Sequence, residues 1–359
     1  SNVSERLAGQ VLGALYELVR GAQAARGARA GDPIAALVAP APDGTRPGTD
    51  ALYEGLLTVV MRLLFQLYAE ERGLAFDDGA PTGDYAIAPL YVRLREDAAL
   101  YPDTMDHRHG AWAQLLALWR LTYEGCPDLG AVPRHGSLFD PSRYPFLEGR
   151  RTDTDPIVVP LISDGTVYRV LERLLILDGE RLSYRALDVE HIGSVYEAMM
   201  GFRIEVATGT SVAIRAQGAL GAPVTIALED LLAQSPASRG AWLTKAAGRA
   251  PTGAALAALR AARTIDEAHG ALDRLIDRRA TPDRVPTGAL VMQPSDERRA
   301  SGSHYTPREL TAPIVRRTLD PQLDRLRPAS GRSPTPEAIL GLAVCDPAMG
   351  SGAFLVETC

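Results

Sequence analysis

The stretch Val344-Cys345-Asp346-Pro347-Ala348-Met349-Gly350-Ser351-Gly352-Ala353-Phe354-Leu355-Val356-Glu357 decides how this chain is read. The apolar run ahead of it begins at Ile339, so 339–347 reads as a buried strand that ends in an acid. Gly350-Ser351-Gly352 then turns tightly into a helix over 351–357. A strand, a glycine turn and a helix open a doubly wound α/β sheet, and such sheets bind ligands at the carboxyl ends of their strands. Gly350 and Gly352 leave the backbone bare for a ligand and accept positive φ. Two phosphate loops fail on inspection. A Walker loop needs a lysine after its last glycine, and a dinucleotide fingerprint needs a third glycine; neither is present. S-adenosylmethionine suits the loop better, because its ammonium and sulfonium are positive and it carries no phosphate.

Upstream, the texture is helical. Apolar residues recur at helical spacing over 4–25, with Ser4 as a plausible N-cap. The strongest pattern covers 51–73, where Leu52, Leu56, Val60, Leu63, Leu64 and Leu67 form a stripe, Asp50 can cap and Gly73 can terminate. Another helix fits 109–125, with Trp112 and Trp119 on one face as core residues. A turn-rich connector over 136–150 leads to helices at 166–177 and 191–202. Between about 202 and 228, β-branched residues separated by glycine turns suggest a small antiparallel meander. Helical patterns then resume over 228–234, 252–263 and 265–279. The expected organisation is a mainly α-helical N-terminal domain over 3–280 with that β insertion, and a linker over 281–307. The opening of an α/β Rossmann-like domain follows over 308–359, its first helix starting just after Pro307.

Composition narrows the function. Hydrophobic residues make up 46% of the 359, enough for packed cores, while a net charge of −6 leaves no chain-wide basic footprint for nucleic acid. Cys126, Cys345 and Cys359 form no CxxC pair, which points to a reducing compartment, and a cytoplasmic protein is expected. Cys345 reads as a buried small hydrophobe. No membrane-spanning run and no signal peptide are read, and Ser1-Asn2 reads as a cleavage scar. Of 38 basic residues only Lys245 is a lysine. A PD-(D/E)xK nuclease needs an acid two residues before its lysine, where Leu243 stands, so nuclease chemistry is not expected. Asp103, Asp106, His107 and His109 could approach a metal, but they read more simply as a solvated loop, and no metal site is expected.

The residues 346–354 match D-P-x-x-G-[ST]-G-x-[FL] throughout, and resemble motif I of the amino-methyltransferases that modify DNA. Gly302-Ser303-His304-Tyr305-Thr306-Pro307 resembles motif X of the same enzymes, which precedes motif I when the catalytic motifs follow in the gamma-type order. Stretches at 63–74, 136–150, 191–202 and 297–307 look like the N-terminal region of large adenine-specific DNA methyltransferases. These occur in type IIG restriction-modification proteins and in the BREX and DISARM phage-defence systems. The resemblance implies a cofactor, S-adenosylmethionine, held by Tyr305, Thr306, Pro307, Asp346, Pro347, Ala348, Gly350, Ser351 and Gly352. It also implies duplex DNA as the partner of the full-length protein, other defence subunits, and no membrane. The [ND]-P-P-[YF] motif that would hold the target amine is absent from the sequence, so the catalytic residues are expected beyond Cys359. A non-catalytic helical interaction module is the competing expectation. Arg298, Arg299, Arg316 and Arg317 are candidate phosphate contacts.

Overall fold

The computed structural model describes residues 3–29, 31–46, 48–74, 85–187, 189–215, 222–295, 308–327, 333–347, 349 and 352–358. Seven helices build the larger body: α1 (Val3–Ala25), α2 (Pro33–Leu37), α3 (Gly48–Glu71), α4 (Ile87–Leu100), α5 (Gly110–Glu124), α6 (Asp164–Leu175) and α7 (Val189–Met200). α1 is its hub. It turns Leu7, Val11, Leu15, Leu18 and Ala22 fully inward and packs on α3, α6 and α7. The α1–α6 crossing is close because position 21 is glycine: a Cβ there would lie 2.4 Å from Thr166 Cγ2.

The stripe expected on α3 is buried throughout, and Tyr53, Leu57 and Val59 widen it around the helix. By length and composition α3 could cross a membrane, yet 67% of its most apolar window is buried inside the protein. It is a core helix. α3 starts at Gly48, so Asp50 sits in its first turn and favours the helix dipole there. Gly73 ends it as expected: at φ +68° it donates to Glu70 O, while Leu74 N donates to Ala69 O.

Trp112 and Trp119 on α5 meet edge to face at 5.8 Å, and both are buried. Their ring N–H groups are satisfied, Trp112 donating to Leu147 O and Trp119 to Gln66 Oε1, both at 3.0 Å. The 136–150 connector is thereby part of the core. Phe146, Leu147, Glu148 and Arg150 are all buried within it.

The strands depart from the expected meander. A hairpin of β1 (Ile176–Leu177) and β2 (Glu180–Arg181) turns at Asp178 and Gly179, both with positive φ, as a tight two-residue turn requires. β4 (Ser211–Ile214) pairs with β5 (Val224–Ala227), as neighbours in sequence should. β3 (Phe202–Val206) instead pairs antiparallel with β6 (Leu290–Pro294), from Phe202↔Pro294 to Val206↔Leu290. The expected 281–307 linker therefore carries a strand of the first domain. The reason is register: Phe202 and Ile204 on β3 and Leu290 and Met292 on β6 present alternate apolar residues to the larger core.

Between the two paired strands lies a module, 207–289, with its own core. Ala207 N donates to Ala289 O and Gly288 N to Ala207 O, both at 2.8 Å, so the module leaves and rejoins the chain at one point. Its helices are α8 (Leu228–Leu232), α9 (Arg239–Ala247), α10 (Gly253–Ala261) and α11 (Ile265–Leu272). They close over Val212, Ile214, Leu228, Leu243, Leu259 and Leu272. Buried Arg239 donates to Leu232 O, Leu259 O and Ala262 O, at 3.1, 3.0 and 2.6 Å. One guanidinium thus satisfies carbonyls at the ends of α8 and α10, groups a helix leaves without partners of its own.

Among the described residues three further helices follow: Arg308–Leu326, Pro336–Leu340 and Ala353–Thr358. The first begins directly after Pro307, as expected. Among the described residues no strand lies beyond Pro294, so the strand expected over 339–347 is not formed. Ile339 and Leu340 are helical, and 342–346 has no strand assignment. A strand exists only through a neighbour's ladder, and among the described residues no segment forms a ladder with this one. Cys345, expected to be buried, is exposed for the same reason.

Candidate functional site

Two helices that follow the candidate cofactor motifs touch. The Arg308–Leu326 helix, which follows Tyr305-Thr306-Pro307, packs against the Ala353–Thr358 helix, which follows the glycine turn. Thr311 and Val315 are its buried residues on that length. The helices that follow the two sequence motifs are therefore neighbours, although 41 positions separate Tyr305 from Asp346. Tyr305, Thr306, Pro307, Ala348, Gly350 and Ser351 lie outside the described residues, as do Arg298 and Arg299.

Asp346, Pro347 and Gly352 are described. Asp346 is half-buried and Pro347 is exposed and begins a turn. Gly352 has φ +82°, and the space a Cβ would take is open except for Met349 Cγ at 3.9 Å. Backbone conformation, rather than crowding, is what calls for glycine at this position. Gly352 N donates to Met349 O and Val356 N to Gly352 O, both at 2.8 Å, so the turn feeds straight into the helix. Thr358 Oγ1 then donates to Phe354 O at 2.7 Å. Arg316 and Arg317 are exposed on the neighbouring helix.

The other polar group named by the sequence has a different role. Asp106 lies in the last turn of a 3-10 helix over Pro102–His107 and pairs with Arg169 Nη2 at 3.0 Å. Burial alone would raise its carboxyl, but the hydrogen bonds and charge of Arg169 outweigh this and hold it below the ordinary value. Among the described residues no three His, Cys, Asp or Glu side chains are grouped to hold a metal.

Sequence reasoning missed a buried charge cluster. Glu148 accepts from Arg120 Nε and Nη2 at 2.6 and 2.8 Å and from Arg150 Nη2 at 2.7 Å. Nearby, Arg62 donates to Leu138 O at 2.6 Å and lies over the Trp119 ring. Burial pushes its guanidinium down to about 10, against the opposing pull of Glu148 and Asp140. These residues hold the 136–150 connector onto α3 and α5, and this is architecture. No protein family, curated protein or solved structure matches this chain.

Proposed function

We propose that this chain is the N-terminal part of an adenine-specific DNA methyltransferase of the restriction-modification or phage-defence kind, using S-adenosylmethionine. The observation that carries the reading is the contact between the helix after Tyr305-Thr306-Pro307 and the helix after Asp346-Pro347-Ala348-Met349-Gly350-Ser351-Gly352. In such an enzyme these two loops face one cofactor. Asp346 and the bare backbone at Gly350 and Gly352 would receive the methionine end of the cofactor. Tyr305 and Thr306 would close over it. When bound, the cofactor supplies an activated methyl group on its sulfonium. The adenine is flipped from the duplex to meet it, and rate comes mainly from positioning the amine. Arg316 and Arg317 are exposed and would be the candidate phosphate contacts. A cytoplasmic location accords with this role.

A second reading, a non-catalytic interaction module, draws on exposed apolar side chains in the same region. Leu340 is 85% exposed, and Leu310, Ile314, Val344, Met349 and Val356 are also open. Under the first reading further strands of the sheet cover them; under the second a partner protein does. Calorimetry on the full-length protein separates the two. We expect saturable S-adenosylmethionine binding that Asp346→Ala weakens by tenfold or more, together with methyl transfer to adenine in duplex DNA. Cofactor binding that ignores Asp346→Ala would reject the proposed site.

A further inference from the structure

A cleft of about 710 Å³ opens between α1, the Pro102–His107 turn, the start of α6 and Pro282 of the inserted module. That is the size range of small-molecule sites, about 300–1,000 Å³. One carboxylate organises it. Glu17, 6% exposed, accepts from Arg20 Nη2 at 2.7 Å and from Arg169 Nε at 3.2 Å. Arg20 is held further by Arg279 O and Ala280 O, at 3.1 and 3.2 Å, while its Nε–H meets no acceptor among the described residues. Both guanidiniums are thus fixed from behind and remain partly open to the cleft, at 34% and 40% exposure. His107 and His109 line the same space, and Ala24, Ala28 and Leu161 give it an apolar wall.

The outer face of Arg169 is covered by Asp106, whose side chain is 62% exposed. Such an exposed ion pair contributes little, so an incoming anion with better geometry can replace it. Glu17, by contrast, is buried and keeps both arginines oriented when Asp106 leaves. Once Asp106 leaves, Nη1 and Nη2 of Arg169 present a fork that matches two phosphate oxygens, and Arg20 adds its Nε–H.

We propose that this cleft binds a phosphorylated small molecule of nucleotide size. Its phosphate displaces Asp106 and is held by Arg169 and Arg20, and its apolar part lies against Ala24, Ala28 and Leu161. AMP titrated into the protein by calorimetry tests this, with inorganic phosphate as competitor. We expect saturable AMP binding that phosphate displaces. Arg169→Gln and Arg20→Gln should each weaken it at least about tenfold, which corresponds to ~1.4 kcal/mol. Asp106→Asn should tighten it several-fold, a gain that a purely structural ion pair does not produce. Unchanged melting temperatures in the arginine variants show that they fold. Three results would overturn the assignment: no saturation up to about 10 mM AMP, equal binding by both folded arginine variants, or weaker binding by Asp106→Asn.

Discussion

Glu148 stands between two guanidiniums, and its removal is the sharpest single-residue test of the core. Its side chain and that of Arg150 are each only 4% exposed. Glu148→Gln keeps the shape but leaves Arg150 buried without its counter-charge, a change that typically costs about 3–5 kcal/mol. Urea denaturation should show a loss of that size, whereas an effect below about 1 kcal/mol would mean that water reaches the pair. Asp277 offers a test in pH. Burial alone would raise its carboxyl, but Arg279 and the N–H groups of Arg279 and Ala280 hold it below its ordinary value. A lowered acid contributes stability above its unfolded pKa of about 3.9, and that contribution is lost as pH falls through the folded value. The melting temperature should therefore drop below about pH 4, and the drop should be shallower in Asp277→Asn. An unchanged acid limb would show that other carboxylates dominate.

At the scale of elements, the contact between α1 and α6 depends on one missing methyl group. Gly21→Ala would place a Cβ within 2.4 Å of Thr166 Cγ2, and both helices are core elements that cannot shift independently. Overpacking of this kind costs about 1–3 kcal/mol. Thr166→Ser removes the clashing methyl and keeps the hydroxyl, which lies 3.0 Å from Ser163 Oγ. The double variant should recover most of the stability lost by Gly21→Ala alone in the same denaturation assay. Simple addition of the two losses would place the cause elsewhere. In sequence, Gly21 is one more small residue on an alanine-rich helix. Its partner is 145 positions away, and no local pattern announces it.

The whole molecule is a body with an excursion. The module over 207–289 enters and leaves through β3 and β6, whose last paired residues, Val206 and Leu290, are ladder partners. Replacing 208–288 with Asn-Gly therefore asks only for a two-residue turn between strands already in register. The shortened chain should keep the far-ultraviolet helical signal of the larger body and unfold cooperatively. A molten, non-cooperative transition would show that the two cores depend on each other. Some dependence is built in, since Arg20 of α1 donates to the carbonyls of Arg279 and Ala280. A lowered midpoint is thus expected, together with an intact transition.

Local sequence determined most of the helices. The stripe on α3, the Trp112 and Trp119 pair, the stop at Gly73 and the helix after Pro307 were all legible. Helices are closed by their own hydrogen bonds, so their apolar spacing and end residues suffice to mark them. α4 and α9 escaped because their apolar faces are narrow. The candidate site was half legible: two motifs could be read, and Gly352 takes the positive φ expected of it, but no spacing rule shows that their helices touch. Tertiary structure alone decided the rest. β3 found its partner beyond the whole module, Glu148 and Arg150 were drawn inward from a stretch that reads as a turn-rich connector, and 342–346 forms no strand. Each outcome depends on groups far away in sequence. A strand needs a neighbour's backbone and a buried charge needs an opposite charge, and neither need is written in the residues beside it.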